Sequence, residues 1–487
     1  MSTSSILAWL DTIPITNPAP NHEHAGPAKR RRFNPPTPDP SISPTMSISV
    51  TGKREGPTAG EVSPSKRSRK IRSEVDLEQP SEASVASGRL SPTKQLQYLR
   101  LQPGGPDYKE FALFTNKPKS LRTLLARIDH IKDGFGIISS SQKEDVLAAP
   151  KHCYDEFDWV ETGTHCFSDE RDTLGPTPSV QFVFDILDKA AACNNQHHHE
   201  DAWNKSVHAP ILEFAFHKKD QRLKNQLISS SSCIHASILP EYQTGTPGTA
   251  KKVDFVIHLN PANDPTPEPT LAIERLIGQL PGMVFNHTNF QPLYDRPIAL
   301  SIETKRPTEG IVVAKLQLGV WQTAHWAFLR TLIQTKEENK EKHKRLQEAK
   351  RLQEEAQTQA LEGTLDSGVQ TPAELLPLRE RQSDVEVSEP ETPGVQESGV
   401  EPLDVQKVST KKFKLPEFLP GVIVNGHDWY FTVTTFDGLR VKFYEKVLLG
   451  STNGTKEIYK LICNLQILRQ WIDGTYWPWL RDLVLDC

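Results

Sequence analysis

Cysteine is scarce. The 487 residues hold six, at Cys153, Cys166, Cys193, Cys233, Cys463 and Cys487. So few cannot staple a chain of this size, which excludes the disulfide-rich secreted class and fits a reducing compartment. Apolar residues are also in short supply: they make up 36% of the chain, below the roughly 45–50% usual for globular proteins even with glycine added. No apolar run reaches the ~18 residues that a membrane-spanning helix needs, so no membrane partner is expected. The opening Met1 to Asp11 has no charged stretch ahead of its short apolar run, and a signal peptide is not expected either. Neither sign of charge dominates, with 57 basic against 61 acidic residues and a net charge of −4. The molecule is no polycation, and any nucleic-acid surface must be a local patch.

Proline, by contrast, is plentiful at 38 copies. Thirteen of them fall in residues 1–100, where 14 basic residues face 9 acidic ones and no apolar periodicity runs. Such a stretch cannot bury enough apolar surface to offset its chain entropy, so residues 1–106 are expected to be a disordered basic tail. Two dense clusters lie in it, Lys29-Arg30-Arg31-Arg32 and Lys66-Arg67-Ser68-Arg69-Lys70. Several unpaired cations on flexible backbone are what a nuclear import receptor grips, which predicts that receptor as a partner and the nucleus as the location.

From about residue 107 the periodicity changes. Ser120 followed by Leu121, Leu124, Leu125, Ile128 and Ile131 predicts a capped amphipathic helix. Pro178 to Ala192 and Trp203 to Phe216 predict two more. Lys252 to Leu259 and Pro297 to Lys305 are short β-branched runs bounded by turn residues, and so strands. A helix is expected from Gly310 to Gln334. Residues 335–361 are helix formers with too few leucines for a heptad seam, hence a solvated charged helix. Residues 362–404 carry 11 acids and two arginines among prolines and glycines, the composition of an acidic disordered loop. Val422–Thr435 and Leu439–Leu449 predict a hairpin turning at Asp437-Gly438, and Lys456–Trp471 a closing helix. A hairpin and one helix cannot easily stand alone. The expected organisation is therefore one domain built from 107–334 and 413–487, interrupted by a charged insertion over 335–412.

Acidic residues inside apolar strands carry the chemistry. Asp254 sits in Val-Asp-Phe-Val-Ile, and Glu303 and Lys305 sit in Ala-Leu-Ser-Ile-Glu-Thr-Lys. Residues two apart on a strand share a face, so Glu303 and Lys305 project together. Charges in a buried strand are costly unless used or paired. Phosphodiester hydrolysis needs carboxylates to hold Mg²⁺ and a cation near the attacking water or the scissile phosphate. Asp…Glu-x-Lys supplies both.

Asp254…Glu303-Thr304-Lys305 resembles the PD-(D/E)XK nuclease superfamily. The wider text, from Trp203-Asn204-Lys205-Ser206-Val207-His208 through Gln317-Leu318-Gly319-Val320-Trp321 and Leu419-Pro420-Gly421-Val422 to Tyr476-Trp477-Pro478-Trp479, is similar to the fungal proteins called PD-(D/E)XK nuclease-like. The resemblance implies an α/β, restriction-endonuclease-like core: a mixed central sheet flanked by helices. It implies Asp254 and Glu303 as metal-binding carboxylates and Mg²⁺ or Mn²⁺ as cofactor. Lys305 would orient or activate water, or stabilise developing charge. Gln317 with Trp321 matches a Gln-x-x-x-aromatic motif whose Gln reaches the site from the next helix. An upstream helical acid completes the site in many members, with Glu200 the first candidate here and Glu213 the second. Two departures stand out. Val253 precedes Asp254 where the motif has Pro, and 49 positions separate Asp254 from Glu303, so 260–296 is expected to be an inserted excursion. The implied activity is Mg²⁺-dependent DNA cleavage. The rival is a catalytically inactive nuclease-fold protein serving as a DNA-binding or interaction module. Oligomeric state is not legible.

Overall fold

The computed structural model of the chain describes residues 90–149, 156–218, 221–243, 252–307, 310–366 and 412–486. The clusters Lys29–Arg32 and Lys66–Lys70 and the acidic stretch beyond 366 lie outside these residues.

Among the described residues nine strands are formed: β1 (Asp107–Glu110), β2 (Ile138–Ser139), β3 (Phe167–Ser168), β4 (Ile228–Ser232), β5 (Phe255–Leu259), β6 (Ile298–Lys305), β7 (Leu419–Asn425), β8 (Asp428–Phe436) and β9 (Val441–Ser451). Seven make one sheet in the order β1-β9-β8-β7-β6-β5-β4, and β2 and β3 form a small parallel pair apart from it. The β1–β9 and β6–β7 pairs are parallel, while the remaining neighbours run antiparallel. The sheet is therefore mixed, as the sequence predicts. Every residue of β5 and β6 is buried, because both sheet faces are covered at the centre and apolar β-branched side chains serve on either. Despite the 49-residue separation, β5 and β6 pair directly, Phe255 opposite Ile302 and Val256 opposite Ser301. The intervening excursion folds aside around a helix at Glu268–Ile277.

One face lies under the first half of the Ile311–Asp366 helix. Trp321 Nε1 donates to Ser301 Oγ on β6 at 3.1 Å, Gln322 Nε2 to the Pro420 carbonyl on β7 at 2.8 Å, and Trp326 Nε1 to Thr434 Oγ1 on β8 at 3.0 Å. This close seating depends on Gly421, where a Cβ would stand 2.8 Å from Gln322 Nε2 and 2.7 Å from Thr432 Oγ1. Elsewhere in the fold the Thr455–Trp471 helix, buried on almost every side, packs against β9 and the helices Ala209–Phe216, Lys119–Lys132 and Val180–Asn195. The Val180–Asn195 helix starts where expected, with Ser179 Oγ accepting from Phe182 N at 3.3 Å.

Several elements depart from expectation. The stretch 92–101, read as tail, is a helix: Ser91 caps it, Pro92 occupies its first turn where no N–H is missed, and Leu99 is buried. Ser120 is not a cap. Its helix begins at Lys119 after Pro118, and the Ser120 hydroxyl donates instead to Glu417 Oε2. Residues 203–216 are not one regular helix: Glu200–Trp203 and Ala209–Phe216 are joined by a π turn, Asn204–His208. Val422–Thr435 is two strands, turned at Gly426 with φ +60°, which periodicity alone does not reveal. The helix leaving 310 runs unbroken through 334 to Asp366. Lys336, assigned to the insertion, is buried with Nζ donating to the Val484 carbonyl at 3.0 Å. Beyond it the helix is exposed and laced with pairs such as Arg345–Glu341 and Arg351–Glu355.

Candidate active site

The site lies at the C-terminal end of β6. Alternation places Ser301, Glu303 and Lys305 on the face under the Ile311–Asp366 helix, since Ser301 is bonded to Trp321 there, and turns Thr304 to the other face. Glu303 has no exposure and Lys305 only 6%. Lys305 Nζ stands 2.7 Å from Glu303 Oε1 and 3.0 Å from Glu200 Oε2, and donates to the Thr304 carbonyl at 2.6 Å. Glu200 opens the short helix before the π turn and is the most open of the acids, with 28% of its side chain exposed.

Asp254 sits one residue before β5, yet its backbone is already in the sheet: its N–H donates to the Ile302 carbonyl at 3.1 Å and its carbonyl accepts from Cys233 N at 2.7 Å. Asp254 Oδ2 accepts from Thr304 N at 2.8 Å, and the single Thr304 hydroxyl proton is shared between Asp254 Oδ2 at 3.0 Å and Asn204 Oδ1 at 2.8 Å. A strand N–H points in the plane of its sheet, so the carboxylate lies in that plane, between the two faces.

The four ionisable groups feel one another. Burial pushes Glu303 well above the usual carboxylate range, and the Asp254 and Glu200 charges push it further against the pull of Lys305. Asp254 is raised by burial, against the Lys305 ammonium and the Thr304 hydrogen bonds. Burial works against the Lys305 charge, but Glu303, Asp254 and Glu200 outweigh it and hold the amine protonated above the ordinary lysine value.

Glu303 Oε2 is buried with no hydrogen-bond partner. An orphaned carboxylate oxygen beside a second carboxylate is a hard donor set, and it fits a Mg²⁺-type ion that takes one or two carboxylates and fills its remaining positions with water and phosphate. No group of three or more His, Cys, Asp or Glu gathers as a metal cage among the described residues.

A family model described as the PD-(D/E)XK nuclease superfamily matches residues 151–477. The chain belongs to the PD-(D/E)XK nuclease superfamily. No curated protein and no solved structure matches it. In this nuclease-superfamily fold, the sequence motif residues Asp254, Glu303 and Lys305 are brought together, and Glu200 joins them through Lys305. Glu213 is not: it is exposed on the Ala209–Phe216 helix, beside His217. Gln317 Nε2 donates to the Lys252 carbonyl at 3.3 Å, two residues before Asp254, so it braces the approach to that strand. Trp321 is fully buried against Ser301. Sequence reasoning missed Thr304 and Asn204. Thr304 was only the variable position of Glu-x-Lys, and Asn204 Oδ1 accepts from Thr304 Oγ1 at 2.8 Å across 100 residues of chain.

Proposed function

We propose that the protein is a nuclear, divalent-metal-dependent DNA nuclease that hydrolyses phosphodiester bonds. The observation that carries this reading is Glu303: fully buried, beside Asp254, with an oxygen that no protein group satisfies. Asp254 and Glu303 would hold Mg²⁺ or Mn²⁺, which supplies Lewis-acid polarisation of the phosphate and an activated water. Lys305 acts as a cation. Its acidic neighbours keep its proton in place, so it donates hydrogen bonds to a phosphate oxygen or to the water instead of abstracting a proton. Glu200, at the open side of the site, holds the Lys305 ammonium in position and limits its swing. Import through Lys29–Arg32 and Lys66–Lys70 would bring the enzyme to DNA. Alanine replacement of both clusters should move a tagged protein to the cytoplasm, and unchanged nuclear accumulation would refute the import assignment.

One observation favours the second reading, an inactive nuclease fold acting as a DNA-binding or interaction module. Lys305 is already paired with two carboxylates and Asp254 already accepts two hydrogen bonds. Purified protein incubated with plasmid and linear DNA, with and without Mg²⁺ or Mn²⁺, separates the two. Retention of DNA without metal-dependent cleavage supports the module, and cleavage that Glu303→Gln abolishes supports the nuclease.

A further inference from the structure

Asn204 is placed to do more than cap a turn. Its Oδ1 lies within hydrogen-bond distance of two side chains, Thr304 Oγ1 at 2.8 Å and His208 Nδ1 at 2.9 Å. His208 is buried, stacked on Trp203 with ring centres 5.8 Å apart and set perpendicular to Trp429 at 5.4 Å. Its ring also meets the backbone of Gly426 in the turn between β7 and β8. Both contacts hold the carboxamide in place. The Asn204 amide also helps to hold the charge of the Asp254 carboxylate. The π turn Asn204–His208 sets both side chains on one side of a widened turn, a distortion frequent at functional sites.

We propose that Asn204, locked by His208 and Thr304, is the positioning residue that aims the Asp254 carboxylate at the divalent cation. The inference rests on the nuclease reading, because it assigns Asp254 a cation to bind. Thr304 holds Asp254 from its backbone N–H and hydroxyl, Asn204 holds it from its amide, and His208 anchors Asn204 to the core. The carboxylate thereby keeps one rotamer before the ion arrives, and no ordering is left to be done on binding.

The test is Mn²⁺ titration of the full chain without DNA, following free Mn²⁺ by its electron paramagnetic resonance signal, with thermal melts of each variant alongside. Asn204→Ala and Thr304→Val should each weaken Mn²⁺ binding by about 10–100-fold, the usual cost of removing a group that orients a ligand, while Thr304→Ser should stay within about threefold of wild type. If Asn204→Ala fails to fold, the Thr304→Val and Thr304→Ser pair decides, since valine and threonine are nearly the same shape. Wild type that binds through Asp254, as judged by loss in Asp254→Asn, together with unaltered binding by Thr304→Val, overturns the positioning role and leaves the nuclease site standing. Wild type that binds no Mn²⁺ removes the nuclease reading, and the positioning role falls with it.

Discussion

A carboxylate with no exposure, 2.7 Å from an ammonium, is charged or protonated according to its other neighbours. For Glu303 those neighbours are the acids Asp254 and Glu200, and together with burial they outweigh Lys305. The folded state thus keeps a proton that the unfolded chain releases above the ordinary value of 4.5. Stability is lost as pH climbs from there toward the folded value. Glu303→Gln removes the loss while keeping the shape, and should raise metal-free stability at pH 8, with the gain fading toward pH 4. Thermal melts at the two pH values check this, and a variant less stable than wild type at pH 8 contradicts it. Lys305→Ala works on the chemistry instead. It should leave the carboxylates free for the ion but slow cleavage by ~10²-fold or more, measured in single-turnover assays at saturating Mn²⁺. These residues were legible because charges inside an apolar strand break its pattern. Asn204, Thr304 and His208 were not, because Asn, Thr and His on a helix or strand are unremarkable until distant segments meet.

At the scale of elements, legibility followed the strength of the periodic pattern. The helix Val180–Asn195 and strands β5 and β6 came out within a few residues because caps and β-branched runs mark them locally. The turn at Gly426 was hidden, since both flanking strands are apolar and one glycine must carry the whole signal. No residue marks where the Ile311–Asp366 helix passes from packed to projecting, because it does so without a breaking residue. The same change predicts a contrast. Lys350→Pro, in the exposed half, should leave the melting of the body within about 0.5 kcal/mol, whereas Ala324→Pro, buried on the sheet, should cost ~3 kcal/mol or more. Urea unfolding of the two variants settles it, and equal effects would mean that the projecting half packs on something. A second contrast concerns Arg171, almost fully buried and satisfied by neutral acceptors: the Ile137 carbonyl at 3.1 Å, the Gly175 carbonyl at 3.0 Å and Gln466 Oε1 at 2.7 Å. It ties the segment 137–175 to the central Thr455–Trp471 helix. Arg171→Met should destabilise by about 2–4 kcal/mol by orphaning these acceptors.

For the whole molecule, pH is set against the core. Burial holds six histidines below the ordinary value of 6.5: His208, His217, His258, His287, His325 and His427. His325 is lowered to about 3 and His258 to about 4, while His287 is pushed down by burial and by its stacked neighbour His325. A folded pKa below the unfolded one gives stability that is complete above 6.5 and lost as pH falls below it. Asp254 and Glu303 slope the other way but are fewer, so urea midpoints should fall steadily from pH 7 to pH 5. A flat profile would contradict the buried neutral histidines. The sheet, its order around β6 and the helices on it form the scaffold that keeps Asp254, Glu303 and Lys305 at one strand end, and the central claim is that this end cuts DNA. The most direct measurement is conversion of supercoiled plasmid by purified wild type and Asp254→Asn, each with Mg²⁺, with Mn²⁺ and with chelator. Cleavage by wild type only, and only with a divalent ion, is the predicted result. Equal cleavage by both proteins, or intact plasmid under every condition, would contradict it.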